Sequence, residues 1–179
     1  SPLPTHSNPL RQSWGIENNF VVGYSGNLGR VHEYQTMLEA SDQLRGDDRM
    51  RFLCIGGGAR LQSLRKQVNR RELDHRYLFP PYQPQDQLEN SLSAADAHWI
   101  SLKPELESLV FPSKFYGIAA VGRPIIVIAA RQSDVAPLVL DPPWGLVVQP
   151  GDPVAPCAAL RRLARDPQLV AAPGARAGA

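Results

Sequence analysis

Two stretches of the chain gather side chains and glycines in patterns suited to holding an anion. Gly23-x-x-Gly26-x-x-Gly29 overlaps the apolar run Phe20-Val21-Val22-Gly23-Tyr24 and leads, through Asn27, Leu28 and Arg30, into a helical pattern that begins at Val31. A glycine-rich turn ahead of a helix leaves backbone N–H groups at the positive end of the helix dipole, worth about 0.3–1 kcal/mol to a bound anion. Arg30 adds a planar, permanently charged fork suited to phosphate. The plainer alternative is a tight strand-to-helix turn with Arg30 in water. The second stretch, Lys103-Pro104-Glu105-Leu106-Glu107-Ser108-Leu109-Val110-Phe111-Pro112-Ser113-Lys114, puts carboxylates, a hydroxyl and ammonium groups around another helix start. A carboxylate such as Glu107 can accept hydrogen bonds from sugar hydroxyls, while Lys114 and helix N–H groups neutralise phosphate. Alternatively, Ser113 caps the helix and the charges are solvated.

Other chemistries fit poorly. The glycine spacing is a weak match to G-x-G-x-x-G, and the acidic residue a dinucleotide site wants after the second strand is replaced by Gly56-Gly57-Gly58. No Gly-Lys-Ser/Thr follows those glycines, so they form no P-loop. The 4 histidines lack metal spacing, and Cys54 and Cys157 make no disulfide framework. A thiol at Cys54, inside an apolar run, predicts burial and a reducing, cytoplasmic setting.

The elements that must position these residues alternate regularly. Predicted strands cover 20–24, 51–55, 77–79, 97–102, 124–128 and 146–148. Predicted helices begin near Val31 and follow Gly58, then cover 85–92, 112–121 and 155–165. Apolar strands alternating with amphipathic helices predict an α/β fold: a Rossmann-like parallel sheet of about six strands, with helices on both faces. Ligands of such sheets bind at the strand carboxyl ends, here Ser25–Arg30, Gly56–Arg60, Pro80–Pro84, Lys103–Lys114 and Ala129–Asp134. At 179 residues, 43% hydrophobic and 20% charged, the chain has the composition of one globular domain. Of its 17 prolines none falls in 10–79, which predicts a regular first half and a loop-rich second half. A net charge of +2 is too small to signal a nucleic-acid partner. No apolar run approaches the ~18 residues of a membrane helix, and Ser1-Pro2-Leu3-Pro4 is no signal peptide. Residues 1–19 read as an interdomain linker and 20–179 as the domain.

Taken together, Tyr24-Ser25-Gly26-Asn27-Leu28-Gly29-Arg30, Pro104-Glu105-Leu106-Glu107, Pro112-Ser113-Lys114-Phe115-Tyr116-Gly117-Ile118-Ala119-Ala120, Gly122-Arg123-Pro124 and Gly145-Leu146-Val147-Val148-Gln149-Pro150-Gly151-Asp152 resemble the C-terminal domain of family-4 retaining glycosyltransferases of the GT-B fold. The likeness is strongest to the bacterial group that builds O-antigen, capsule and exopolysaccharide. It implies a domain that binds a nucleotide-diphosphate sugar, often UDP-linked, without a metal or other cofactor. It also implies a glycan or polyprenyl-linked acceptor and a second, N-terminal acceptor domain outside this chain. By that likeness Gly26, Asn27, Gly29 and Arg30 lie on the diphosphate with Lys103, Ser113 and Lys114 near it. Pro80 and Tyr82 lie near the base, Gly56 and Gly57 also bind the substrate, and Glu107 contacts the sugar; Glu107, Lys114 and Arg30 would carry the catalysis.

The sequence also departs from that family. Gly-Arg-Leu is Gly26-Asn27-Leu28 here, and His32-Glu33 stand where a phosphate-binding lysine is common. Gly117 replaces the second glutamate, a ribose ligand, and Asp134 stands where a glutamate is frequent. Two alternatives share the architecture: a sugar-nucleotide epimerase-type domain and a non-catalytic interaction domain. The basic stretch Arg65, Lys66, Arg70 and Arg71 predicts either a solvated helix face, the simpler reading, or peripheral contact with an anionic membrane surface.

Overall fold

A computed structural model describes residues 4–30, 32–101, 113–133, 136–140 and 145–170. Its strands are β1 (Phe20–Asn27), β2 (Met50–Gly57), β3 (Tyr77–Leu78), β4 (Ala97–Ser101), β5 (Ile125–Ile128) and β6 (Gly145–Val148). They form one sheet in the order β3-β2-β1-β4-β5-β6, and every pairing is parallel. This is the doubly wound arrangement, whose strand order reverses between β1 and β4. The helices are α1 (Pro9–Ser13), α2 (Gln35–Gln43), α3 (Ala59–Arg70), α4 (Leu88–Ser93), α5 (Ser113–Ala120), α6 (Ala136–Leu140) and α7 (Val154–Arg165).

Alternation along each strand decides which helices cover which face. Val22, Tyr24, Phe52, Cys54, Trp99, Ile126, Ile128 and Val148 pack with Met37 and Leu38 of α2, Leu64 and Val68 of α3, and Leu160 of α7. On the other face Ile100, Ile125 and Val127 meet Phe115 and Ile118 of α5 and Val139 of α6. Beside them Val21, Leu53 and Ile55 meet Ile16 and Ala94. The predicted α/β class, with helices on both faces, is borne out.

Several boundaries differ from those read in the sequence, and two bear on the site. Strand β1 runs on through Ser25, Gly26 and Asn27 instead of ending at Tyr24. Gly26 and Asn27 stay in register with Gly56 and Gly57 of an equally extended β2, so glycines that look like a loop are strand. The predicted helix start near Val31 moves to Gln35. Glu33 accepts the Thr36 backbone N–H at 2.8 Å, so a carboxylate of the chain already caps that helix start. The glycine turn therefore does not run directly into the helix start, and one N–H group of that start is already taken.

The segment read as a linker is docked. Asn8 caps α1 through the Leu10 N–H at 2.9 Å and donates to the Asn90 carbonyl at 2.7 Å. Arg11 is 2% exposed and pairs with Asp96 at 3.2 Å, while Asp96 accepts the Val21 N–H at 2.7 Å. The short helices α1 and α6 carry too few residues for a helical period to show in the sequence.

Candidate functional site

The site is built where β1 and β2 end side by side. Gly56 has a φ of +131°, a region that disfavours side chains, and a Cβ there would stand 2.2 Å from the Gly26 carbonyl oxygen. Only glycine lets the two strand ends lie this close. The Gly56 N–H donates to the Pro80 carbonyl at 3.2 Å, tying the loop after β3 onto the same edge. From that loop the Tyr82 ring covers Gly56 and Gly57: Cβ atoms built on them would meet its ring carbons at 3.1 and 3.3 Å. Tyr82 is nonetheless 58% exposed, an aromatic surface resting on glycine backbone.

Across the order reversal, the first turn of α5 sends Lys114 onto the end of β1. Its ammonium donates to Tyr24 Oη at 2.6 Å and to the Asn27 carbonyl at 3.4 Å, and stands 4.3 Å from the Tyr24 ring centroid. Gly26, with φ +116°, makes room, since a Cβ there would meet Lys114 Cε at 2.7 Å. Burial pushes the Lys114 amine down to about 8. Among the described residues no carboxylate pairs with it.

His32 lies in the same crevice, edge-on to Tyr24 with ring centroids 6.1 Å apart. Its Nδ1 lies 2.8 Å from the Ser101 carbonyl at the end of β4, an arrangement that suits the tautomer with Nδ1 protonated. Burial, first of all, and the positive charges of Lys114 and Arg60 hold the imidazole below its ordinary range. Arg60, in the first turn of α3, stands 6.0 Å over the Tyr34 ring.

Of the residues singled out in the sequence, the fold brings together Gly26, Asn27, Gly56, Gly57, Pro80, Tyr82 and Lys114. Gly29 and Arg30 follow on the turn after Leu28, with Arg30 exposed to solvent. Ser113 opens α5 as its first residue rather than preceding it. Lys103, Glu107 and Asp134 lie outside the described residues. The predicted outward face of α3 needs one correction: Arg71 turns back to Glu39 and Asp42 at 2.6 and 3.0 Å. Sequence reasoning missed Tyr24 as a site residue, because a tyrosine in an apolar strand reads as core. Its position two residues before Gly26 was the available signal.

Residues 19–166 match the family of glycosyl transferases group 1. The putative colanic acid biosynthesis glycosyl transferase WcaI of Escherichia coli K12 is 31% identical over 122 residues, 68% of this chain and 30% of WcaI. Among solved structures, Anabaena Alr3699/HepE in complex with UDP and glucose superposes with a TM-score of 0.79 at 21% identity, covering 96% of this chain and 46% of that protein. The C-terminal domain of the group 1 glycosyl transferase LpcC from Francisella tularensis superposes with a TM-score of 0.72 at 16% identity, covering 96% of this chain and 92% of that one. The chain thus spans about a third to a half of the longer proteins it matches.

Proposed function

Because this chain belongs to the glycosyl transferases group 1 family, we propose that it is the donor-binding domain of an enzyme that transfers a sugar from a nucleotide-diphosphate sugar, UDP-linked, with retention of configuration. The acceptor is a glycan or a polyprenyl-linked glycan of cell-surface polysaccharide synthesis. Acceptor-binding groups come from a second domain, and the setting is cytoplasmic, at or near the inner membrane face.

The observation that carries this reading is the Lys114 ammonium at the carboxyl end of β1, half-buried and without a carboxylate partner among the described residues. A half-buried cation with no counter-charge among the described residues favours an incoming anion, and partial desolvation strengthens that attraction. As the bond between sugar and diphosphate breaks, negative charge grows on the departing phosphate. A cation fixed beside it stabilises that state more than the ground state, which is the requirement for catalysis. In this reading Lys114 meets the diphosphate with the Gly26–Asn27 end of β1 and Arg30. The Tyr82 ring over Gly56 and Gly57 offers a flat face to the base. Glu107 and Lys103 are proposed for the sugar and the diphosphate on the family resemblance alone. No metal is required in this scheme, because side-chain cations carry the neutralisation.

The HepE structure holds UDP and glucose, and the carboxyl end of the sheet is proposed to hold UDP here. The test is calorimetric titration of the 179-residue chain with UDP, GDP, ADP and NAD in metal-free buffer. Selective binding, strongest for UDP, supports the reading. A preference for NAD returns the chain to a dinucleotide-binding function, and equal weak binding of all four removes the donor assignment.

A further inference from the structure

We infer that Tyr24 is a positioning residue: its hydroxyl and ring together hold the Lys114 ammonium onto the Gly26–Asn27 end of β1, in the place where it can meet an anion. The inference deepens the proposed function and rests on that reading for the identity of the anion, although the Tyr24–Lys114 pairing is itself a feature of the fold.

Lys114 reaches the site from the first turn of α5, on a flexible four-carbon stem whose rotamers cost entropy to fix. Tyr24 comes from the middle of β1, 1% exposed, with its ring 4.6 Å from Trp99 between centroids. The rigid partner is therefore the tyrosine. Burial pushes its phenol well above the ordinary range, so the hydroxyl keeps its proton. It donates that proton to the Asn27 carbonyl at 3.0 Å, which turns an oxygen lone pair toward the Lys114 ammonium. The ring adds a cation–π contact at 4.3 Å.

Every described group facing the ammonium is neutral or positive. From β1 come the Tyr24 hydroxyl and the Asn27 carbonyl, from the segment before α2 His32, and from α3 Arg60 beyond it. Such neighbours orient a cation without neutralising it. A carboxylate at the place of the hydroxyl would hold the lysine as firmly but cancel its charge. Tyrosine keeps the charge available.

The test uses Tyr24→Phe, which preserves the ring and its packing and removes only the hydroxyl. The lysines are Lys66, Lys103 and Lys114, so a chain labelled with carbon-13 at lysine Cε gives a readily assigned titration for each. Losing one hydrogen bond to a charged group should lower the Lys114 midpoint by about one unit. Near pH 8, UDP affinity should fall roughly threefold in Tyr24→Phe, and Tyr24→Phe with Lys114→Met should bind no more weakly than Lys114→Met alone. A Lys114 midpoint unchanged in a Tyr24→Phe chain of unaltered melting temperature overturns the inference. So does an absence, in the wild-type chain, of nuclear Overhauser contacts between Lys114 Cε protons and the Tyr24 ring, an arm that needs no variant. A shifted midpoint with unchanged UDP affinity supports the positioning role and overturns the assignment of this site to the nucleotide.

Discussion

The two ends of the sheet bury charge in opposite ways. At the amino end, Arg11 sits against Asp96, which also takes the Val21 N–H, and the Ile16 and Asn19 carbonyls accept its remaining donors. Arg76, 3% exposed, reaches Asp48 at 2.6 Å and the Asp47 carbonyl at 2.8 Å. At the carboxyl end, Lys114 meets a hydroxyl, a carbonyl and a ring but no described carboxylate. Buried arginines with carboxylate partners hold chain segments together. A half-buried lysine with none among the described residues leaves room for a counter-charge from outside. On the proposed function the difference separates structural charge from ligand-binding charge within one domain, and it predicts that damage at the two ends will be read by different instruments.

The largest expected effect is at the amino end. Asp96→Ala leaves Arg11 buried and uncompensated, which costs about 3–5 kcal/mol. Denaturant unfolding checks this, and UDP affinity of the folded fraction should not move. Gly56→Ala strikes the carboxyl end through the backbone: a Cβ at φ +131°, 2.2 Å from the Gly26 carbonyl, should cost at least about 2 kcal/mol and disturb UDP binding as well. A Gly56→Ala chain of wild-type stability would show that the strand ends do not need their close approach.

A third effect comes with acid. His98 lies in β4 against Gly23, and its Nε2 donates to the Leu92 carbonyl at 2.8 Å. Burial, foremost, holds its imidazole down to about 4. A folded-state value below the unfolded one means the unfolded chain takes up the proton first. Stability from neutral His98 is thus present above the unfolded value and lost as pH falls toward 4, by about 2 kcal/mol between pH 7 and pH 5. Unfolding curves at those two pH values should show this loss, and His98→Gln should flatten that part of the profile. The smallest effect on the fold is Lys114→Met, which removes a desolvated charge and should leave the melting temperature unchanged or raised.

The parallel α/β fold was legible because the strands are short apolar runs, most of them next to glycine- or proline-bearing turns, and the periods of two and near four change cleanly. The glycine positions of the site were legible for the same reason. Hidden were the features that depend on pairing across the sheet. Ser25, Gly26 and Asn27 read as loop because their strand character comes from register with Ile55, Gly56 and Gly57. The late start of α2 was hidden because Glu33, which caps it, looks like any polar residue in a helical pattern. Arg11 reads as a solvated linker charge until Asp96, 85 residues on, is brought beside it. Tyr24 fits a core strand in every local respect. Its use of the hydroxyl emerges only when α5 delivers Lys114 from 90 residues away.

The central claim is that the charge of Lys114, unpaired with any carboxylate among the described residues, meets the diphosphate. The direct measurement is UDP affinity by calorimetry, for the wild-type chain and Lys114→Met, from pH 6 to pH 10. The wild-type affinity should be level up to about pH 8 and then fall as the lysine loses its proton, the direction set by its lowered value. Lys114→Met should bind about tenfold more weakly at pH 7, a cost of about 1.4 kcal/mol, and show no such fall. Equal affinities for the two chains, with the same dependence on pH, would contradict the account.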